Sequence, residues 1–176
     1  MANDADSVFV GASGKICFAP LGTVLPVDAI SAIPIAWLEL GNLGMDGLGE
    51  TPSNDMADIQ SWAMGGAIVR SVQTKFGLDY TFVMQETNDA AVEAYYGNGD
   101  ASAWTINAKT LPHRPWLFEI NDGDKVLRVC VPDGQITKRD TVKYENGKAS
   151  ERSVTLSCFP DSFAENSYYY TDDGVA

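Results

Sequence analysis

Residues Ile68–Met84 read IVRSVQTKFGLDYTFVM, and the period of their apolar positions decides the fold. Ile68, Val72, Phe76, Leu78, Tyr80, Phe82 and Met84 fall on one face, interrupted only by Arg70 and Thr74, while Ser71, Gln73, Lys75, Asp79 and Thr81 occupy the other. This alternation predicts a strand with one buried and one wet side, the pattern of an antiparallel sheet. Its length is unusual. At about 3.3 Å per residue the run reaches about 56 Å, against a common strand of about 5 to 6 residues. Two arrangements accommodate it: Gly77 bends the run into two strands, or one strand projects beyond its own domain.

The segment leading into this strand carries Leu43, Met45, Leu48, Met56, Ile59 and Trp62 among Gly41, Gly44, Gly47, Gly49, Pro52 and Ser53, with Asp46, Glu50, Asp55 and Asp58 interspersed. No helical or strand period organises it, so residues 42–62 read as a long loop. Such loops are functional or disordered, and disordered segments are poor in large apolar side chains. The loop therefore covers a surface, either its own core as a flap or another subunit.

Downstream, ETNDAAVEAYYG predicts the one clear helix. Thr87 or Asn88 caps it, Asp89 complements the positive end of its dipole, and Ala91, Val92, Tyr95 and Tyr96 form an apolar face that must lie on a sheet. Gly97 suits the left-handed closing residue. Trp116, Phe118 and Ile120 run toward an Asp122–Gly123 turn and return through Val126–Val131. A second hairpin is expected from Thr137 to Glu145, turning at Asn146–Gly147 and returning through Val154, Leu156 and Cys158, with Asp133–Gly134 as the turn or bulge between the two. SVFVGASGKICFAP, at residues 7–20, reads as a short strand, a Gly-Ser-Gly turn and a second strand or arm, and Pro34–Leu40 as another strand. Tyr168, Tyr169 and Tyr170 form a last strand or a docking segment. The sum is a mainly β, antiparallel sandwich or barrel with one short packed helix.

Composition narrows the function. The chain of 176 residues carries 12 Lys and Arg against 24 Asp and Glu, a formal net charge of -12. No basic stripe suits nucleic-acid binding, no run is apolar enough for a transmembrane helix, and the acidic MANDADS start is not a secretory signal. Three cysteines, Cys17, Cys130 and Cys158, have neither disulfide-framework nor zinc spacing; Cys130 and Cys158, within strand-like runs, read as small buried hydrophobes, and folding in a reducing cytoplasm is the simpler inference. His113 is the sole histidine, and no nucleophile-elbow spacing joins it to Cys130 or Cys158. Asp122, Asp124 and Asp133 lack the order of a calcium loop. No enzyme, cofactor or metal site is expected. Trp62, Trp104 and Trp116 leave open a monomeric β-sandwich binding carbohydrate or protein.

The stretch AWLELGNLGMDGLGETPSNDMADIQSWAMGGAIVRS, followed by DYTFVMQETNDAAVEAYYG, resembles the major tail tube proteins of long, non-contractile-tailed bacteriophages. The residues that carry the likeness are Trp37, Leu40, Gly41, Asp46, Gly47, Trp62, Val69, Arg70, Glu86, Thr87, Asn88, Tyr96 and Gly97. The closing SVTLSCFPDSFAENSYYYTDDG, with Pro160 and Asp161, extends it to Gly174. The resemblance implies a single tail-tube domain over 1–176, with an N-terminal arm at about 1–33, a stacking loop at about 42–62 and no further immunoglobulin-like domain. It implies a structural virion protein, assembled in the host cytoplasm, whose subunits pair their sheets into rings of about six copies that stack into a DNA-conducting tube. Its partners would be itself, a tape-measure protein, and the tail-tip and tail-terminator proteins. Leu43, Met45, Asp46, Leu48, Met56, Ile59 and Trp62 would make the contacts between rings, and carboxylates lining the bore would repel DNA phosphates.

Overall fold

The computed structural model describes residues 8–174. Its elements in chain order are β1 (Ser13–Phe18), β2 (Leu38–Glu39), β3 (Leu43–Ser61), β4 (Ala67–Met84), α1 (Asp89–Tyr96), β5 (Arg114–Asp122), β6 (Lys125–Arg139), β7 (Arg152–Phe159) and β8 (Tyr168–Asp172). All pair antiparallel, in the order β2-β1-β5-β6-β7-β4-β3, with β8 beside the first half of β6. The mainly β architecture with one short helix is the one expected from the sequence.

Strand β6 makes this one sheet into a sandwich. Its first half pairs with β5 and β8 and its second half with β7. Between the halves, at Pro132–Gly134, the chain bends. Rings on β4 and β5, which are not neighbours in the sheet, consequently meet in tilted contacts: Tyr80 lies 4.8 Å from Phe118, and Phe82 lies 5.9 Å from Trp116. The sequence reading placed a turn or bulge between two hairpins here. The structure has the bulge, a register shift against Arg114–Trp116 of β5, within one 15-residue strand whose halves both have partners. Gly134 makes the bend possible: a Cβ there would lie 2.8 Å from the Trp116 ring and 3.2 Å from Leu156. Its carbonyl accepts the Trp116 indole N–H at 3.2 Å.

Between the leaves lie Phe18, Leu78, Tyr80, Phe82, Met84, Phe118, Val154 and Leu156, closed off by α1. The helix begins where Asn88 Oδ1 accepts the Ala91 N–H at 2.7 Å. It ends at Gly97, in the left-handed region at φ 77°. Ala91, Val92, Tyr95 and Tyr96 are all buried. Arg152, 1% exposed, ties the chain before the helix to β7 by donating to the Glu86 carbonyl at 3.2 Å and the Thr87 hydroxyl at 3.1 Å.

Four other expectations need correction. Gly14 lies inside β1 opposite Ile120, not in a turn, since a Cβ there would strike the Glu119 carbonyl. Of Pro34–Leu40 only Leu38–Glu39 pairs. The second hairpin is not tight: β6 and β7 separate after Arg139 and Val154, and the polar stretch 140–151 loops out with Asn146–Gly147 as a turn near its middle. Within the expected N-terminal arm, residues 1–7 lie outside the described residues, and Ser13–Phe18 is an internal strand between β2 and β5.

Residues 20–37 cross the back of the first leaf, where Trp37 packs with Cys17, Leu117 and Cys130. Arg128, 3% exposed, clamps them. Its guanidinium donates to Glu119 Oε2 at 2.6 and 3.2 Å and to the carbonyls of Asp28 and Ser31 at 3.1 and 2.9 Å. Lys15 completes the cluster at 2.7 Å from Glu119 Oε1. Burial pushes the Glu119 carboxyl up, but hydrogen bonds from Lys15 and Arg128 outweigh it and hold the group below its ordinary value.

Two outcomes follow. Gly134→Ala should lower stability in urea by about 1–3 kcal/mol, the range for overpacking a filled core. Because the folded Glu119 value is depressed, its stabilisation is present above the unfolded pKa and lost as pH falls through the folded one. Glu119→Gln should therefore cost about 2 kcal/mol at neutral pH and flatten the loss of melting temperature on acidification; an unchanged acid slope would refute the clamp's role.

Candidate assembly surface

Beyond Pro52 and Leu78, β3 and β4 pair only with each other, because β7 leaves β4 at Leu78. What remains is a two-stranded ribbon extending about 35 Å at 3.3 Å per residue. It is closed by a 3-10 turn at Trp62–Met64 with Gly65 and Gly66 at φ 65° and 88°. Side chains from Thr51 to Gln60 and from Ala67 to Ser71 are exposed. The segment expected to be a structureless loop is thus a 19-residue strand. Its period was hidden by irregularities between Leu43 and Leu48, Asp55 and Met56, and Ile59 and Gln60. Gly77 does not break β4.

Cross-strand register assigns the faces. The face that is buried at Leu78, Tyr80, Phe82 and Met84 continues outward as Phe76 opposite Asn54, Met56 opposite Gln73, Asp58 opposite Ser71, and Ile68 opposite Gln60, because β4 bulges at Thr74 and Val69 while β3 keeps its alternation. Phe76, Met56 and Ile68 stand about half exposed there. The other face carries Ser53, Asp55 opposite Lys75, Ala57 opposite Val72, and Ile59 opposite Arg70. It runs on into Thr81, Asp79, Thr155 and Ser157 of the second leaf, where Thr137 and Ser157 share a hydrogen bond at 2.8 Å. Both ribbon edges present unpaired main-chain groups, and an isolated ribbon of this kind is marginally stable at best.

The seven residues expected to form one loop surface fall at two ends of β3. Met56, Ile59 and Trp62 lie on the ribbon, with Trp62 98% exposed at its tip. Leu43 and Leu48 lie at the base, packed against the core. Between them the chain bulges, with Gly47 left-handed at φ 68° and Asp46 and Met45 in solvent. Phe76, Val72, Ile68 and Arg70 were not assigned to this surface from the sequence. The polar residues Asn54 and Gln60, opposite Phe76 and Ile68, were the available signal, since a buried face is not paired with them.

The base is fastened by a hydroxyl relay. Tyr80 donates to Tyr169 at 2.6 Å, and Tyr169 donates to Glu50 at 2.9 Å, linking β8 to β4 and β3. Burial, then the bond to Tyr169, raises the Tyr80 pKa, so its proton stays in the relay.

Other chemistry is not assembled. His113 Nδ1 lies 2.7 Å from Asp133 and its ring packs on Phe159. Burial pushes the thiols of Cys130 and Cys158 up to about 11 and about 12, which leaves them protonated and poorly nucleophilic at neutral pH. No metal-binding cluster of three or more His, Cys, Asp or Glu occurs among the described residues. Trp116 is core and Trp104 stacks on Tyr96 at 5.7 Å, so the tryptophans make no common platform with Trp62.

The split between base and ribbon has a direct readout. Leu48→Asp, which places a carboxylate against the core, should cost about 2–3 kcal/mol, whereas Ile59→Asp should stay within about 0.5 kcal/mol of the unmodified chain. Equal melting temperatures for the two variants would contradict the assignment.

A family model described as "Phage tail tube protein" matches residues 1–175. Among solved structures, the chain is similar to one from the sheath-tube complex of an extracellular contractile injection system, PVC, in its extended state. The TM-score is 0.53 at 7% identity, covering 96% of this chain and 95% of that one. It is also similar to the anti-feeding prophage cap, described as the AFP tube terminating cap, with a TM-score of 0.50 at 9% identity and 97% of each chain covered. At such identities the likeness is one of fold. No curated protein matches the chain.

Proposed function

The chain belongs to the phage tail tube protein family, structural components of the virion tail rather than enzymes, and from that premise we propose how its subunits build a tube. About six copies close a ring, the outer edge of each β3 ribbon pairing with the outer edge of the next β4. The observation that carries this reading is the ribbon itself: two unpaired edges and uncovered apolar side chains, on a strand whose inner half is locked in the core.

Ring closure also sorts the faces. The first leaf lies outside, the face of Phe76, Met56 and Ile68 turns toward neighbouring subunits, and the hydroxyl-rich face of the second leaf lines the bore. Asp55 and Asp79 stand there against Lys75 and Lys138. Only a small part of the chain's acidity therefore faces the bore, and hydroxyls supply most of the lining. With no cluster of Arg and Lys, phosphates find little to hold them, and DNA slides. Rings stack through the ends of the ribbon around a tape-measure protein, capped by tail-tip and tail-terminator proteins, and assembly takes place in the host cytoplasm.

Negative-stain microscopy of the purified chain at high concentration should show hollow rings or tubes. Replacing Ser53–Gly77 by Asn-Gly, a two-residue turn joining the directly paired Pro52 and Leu78, should leave a folded monomer with an unchanged core. Tubes from that variant would refute the ribbon's role.

A further inference from the structure

The two ends of β3 carry complementary surfaces. At the base, the bulge at Leu43–Leu48 and the edge of β1 enclose a cleft of about 870 Å3, lined by Phe9, Ile16, Leu43, Met45, Leu48 and Ile120. Glu39, Asp46 and Glu86 also line it. Lys15 lies there too, but is tied to Glu119 at 2.7 Å. At the other end, Trp62 is 98% exposed beside an exposed Met64, with Gly65 and Gly66 donating back to Trp62 and Ser61. The tip thus offers an apolar body with one free-standing donor, the indole N–H. The cleft offers an apolar floor with carboxylate acceptors at its rim, the pairing a tryptophan requires when it is buried.

Charge follows the same division. From Ile59 to Gly77 the chain has Arg70 and Lys75 and no acid, whereas from Glu39 to Glu50 it has Glu39, Asp46 and Glu50 and no base. On the partner strand Asp55 and Asp58 balance these two cations, so in a chain of net charge -12 the ribbon is a locally neutral stretch, with Arg70 near its tip, that faces an acidic base. We infer that Trp62 at the ribbon tip of one copy docks into the cleft between the β3 bulge and β1 of a second copy, with Arg70 steered by the acidic rim. The inference rests on the ring-stacking reading above and names its contact. Because knob and hole lie at opposite ends of one strand, the contact is heterologous and directed along that strand, so each bound copy presents a new tip and the stack stays open. The residues expected to form one loop surface thus become two halves of one joint: Met56, Ile59 and Trp62 on the knob, Leu43, Met45, Asp46 and Leu48 at the hole.

The test uses Trp62→Cys and Met45→Cys, both at exposed positions, in a chain whose three native cysteines are buried. Oxidised assemblies of the double variant should run as a ladder of dimers, trimers and longer species on a non-reducing gel, and each single variant as monomer. Tubes without a ladder, or dimers from Trp62→Cys alone, would overturn the docking while leaving the tube intact. An unmodified chain that forms no rings or tubes would remove the stacking reading and the docking together. Should the cysteine variants fail to assemble, indole fluorescence decides: on assembly the unmodified chain should show a blue shift that Trp62→Phe lacks. Trp62→Ala should raise the concentration needed for assembly roughly thirtyfold, the effect of losing a buried aromatic anchor. Identical emission changes in the unmodified and Trp62→Phe chains would overturn the docking.

Discussion

Strand β4 carries apolar side chains along its whole length but has neighbours on both sides over only its inner part, Leu78–Met84, and this mismatch governs the molecule. The inner part is fixed: its side chains fill the sandwich, and slipping the register by one residue would turn all of them to solvent. The outer part inherits that register. Phe76, Met56 and Ile68 stand on the side of the core residues but find no second leaf beneath them, so the fold exports apolar side chains beyond its own body. A monomer has no internal means of covering them.

The rest of the structure holds that anchor rigid. Gly134 lets β6 fold the sheet over without a Cβ meeting Trp116, and the relay from Tyr80 through Tyr169 to Glu50 fastens the ribbon's base to β8. On the far side Arg128 and Glu119 secure the covering segment. A buried ion pair is not in itself a source of large stability. Here it supplies register, holding two carbonyls of an otherwise irregular segment against one strand. The assembly surface is therefore projected from a framework in which each layer is tied by a directional bond, while the bonds of the ribbon itself, its ladder and side-chain pairs such as Asp58–Ser71 and Asn54–Gln73, run only between its own two strands.

The helix and the β5–β6 hairpin were legible because their signals are local. Asn88, three residues before Ala91, caps with its own side chain, and Gly97 ends the helix with its own φ. The β3 strand was not legible. Its bulges break the period, and glycines and Pro52 within it are strand-averse in isolation; only the pairing with β4 makes it a strand. Thr137–Cys158 failed for the opposite reason. The Asn146–Gly147 signal is real, but it sits in the middle of a loop rather than between paired strands, because the residues between Arg139 and Arg152 are mostly polar and give the sheet only Val142 to hold.

By itself the sequence determined the fold class, the family, and the residue set that leaves the core unsatisfied, since periodicity and turn chemistry act over a few residues. Whether β4 bent at Gly77 or ran straight, which part of its apolar face was buried, and the division of Leu43, Met45, Asp46, Leu48, Met56, Ile59 and Trp62 between a base and a tip were decided only by tertiary pairing. The reason is physical: a side chain's face follows from its position along the strand, but its burial depends on whether another strand, distant in sequence, arrives opposite it.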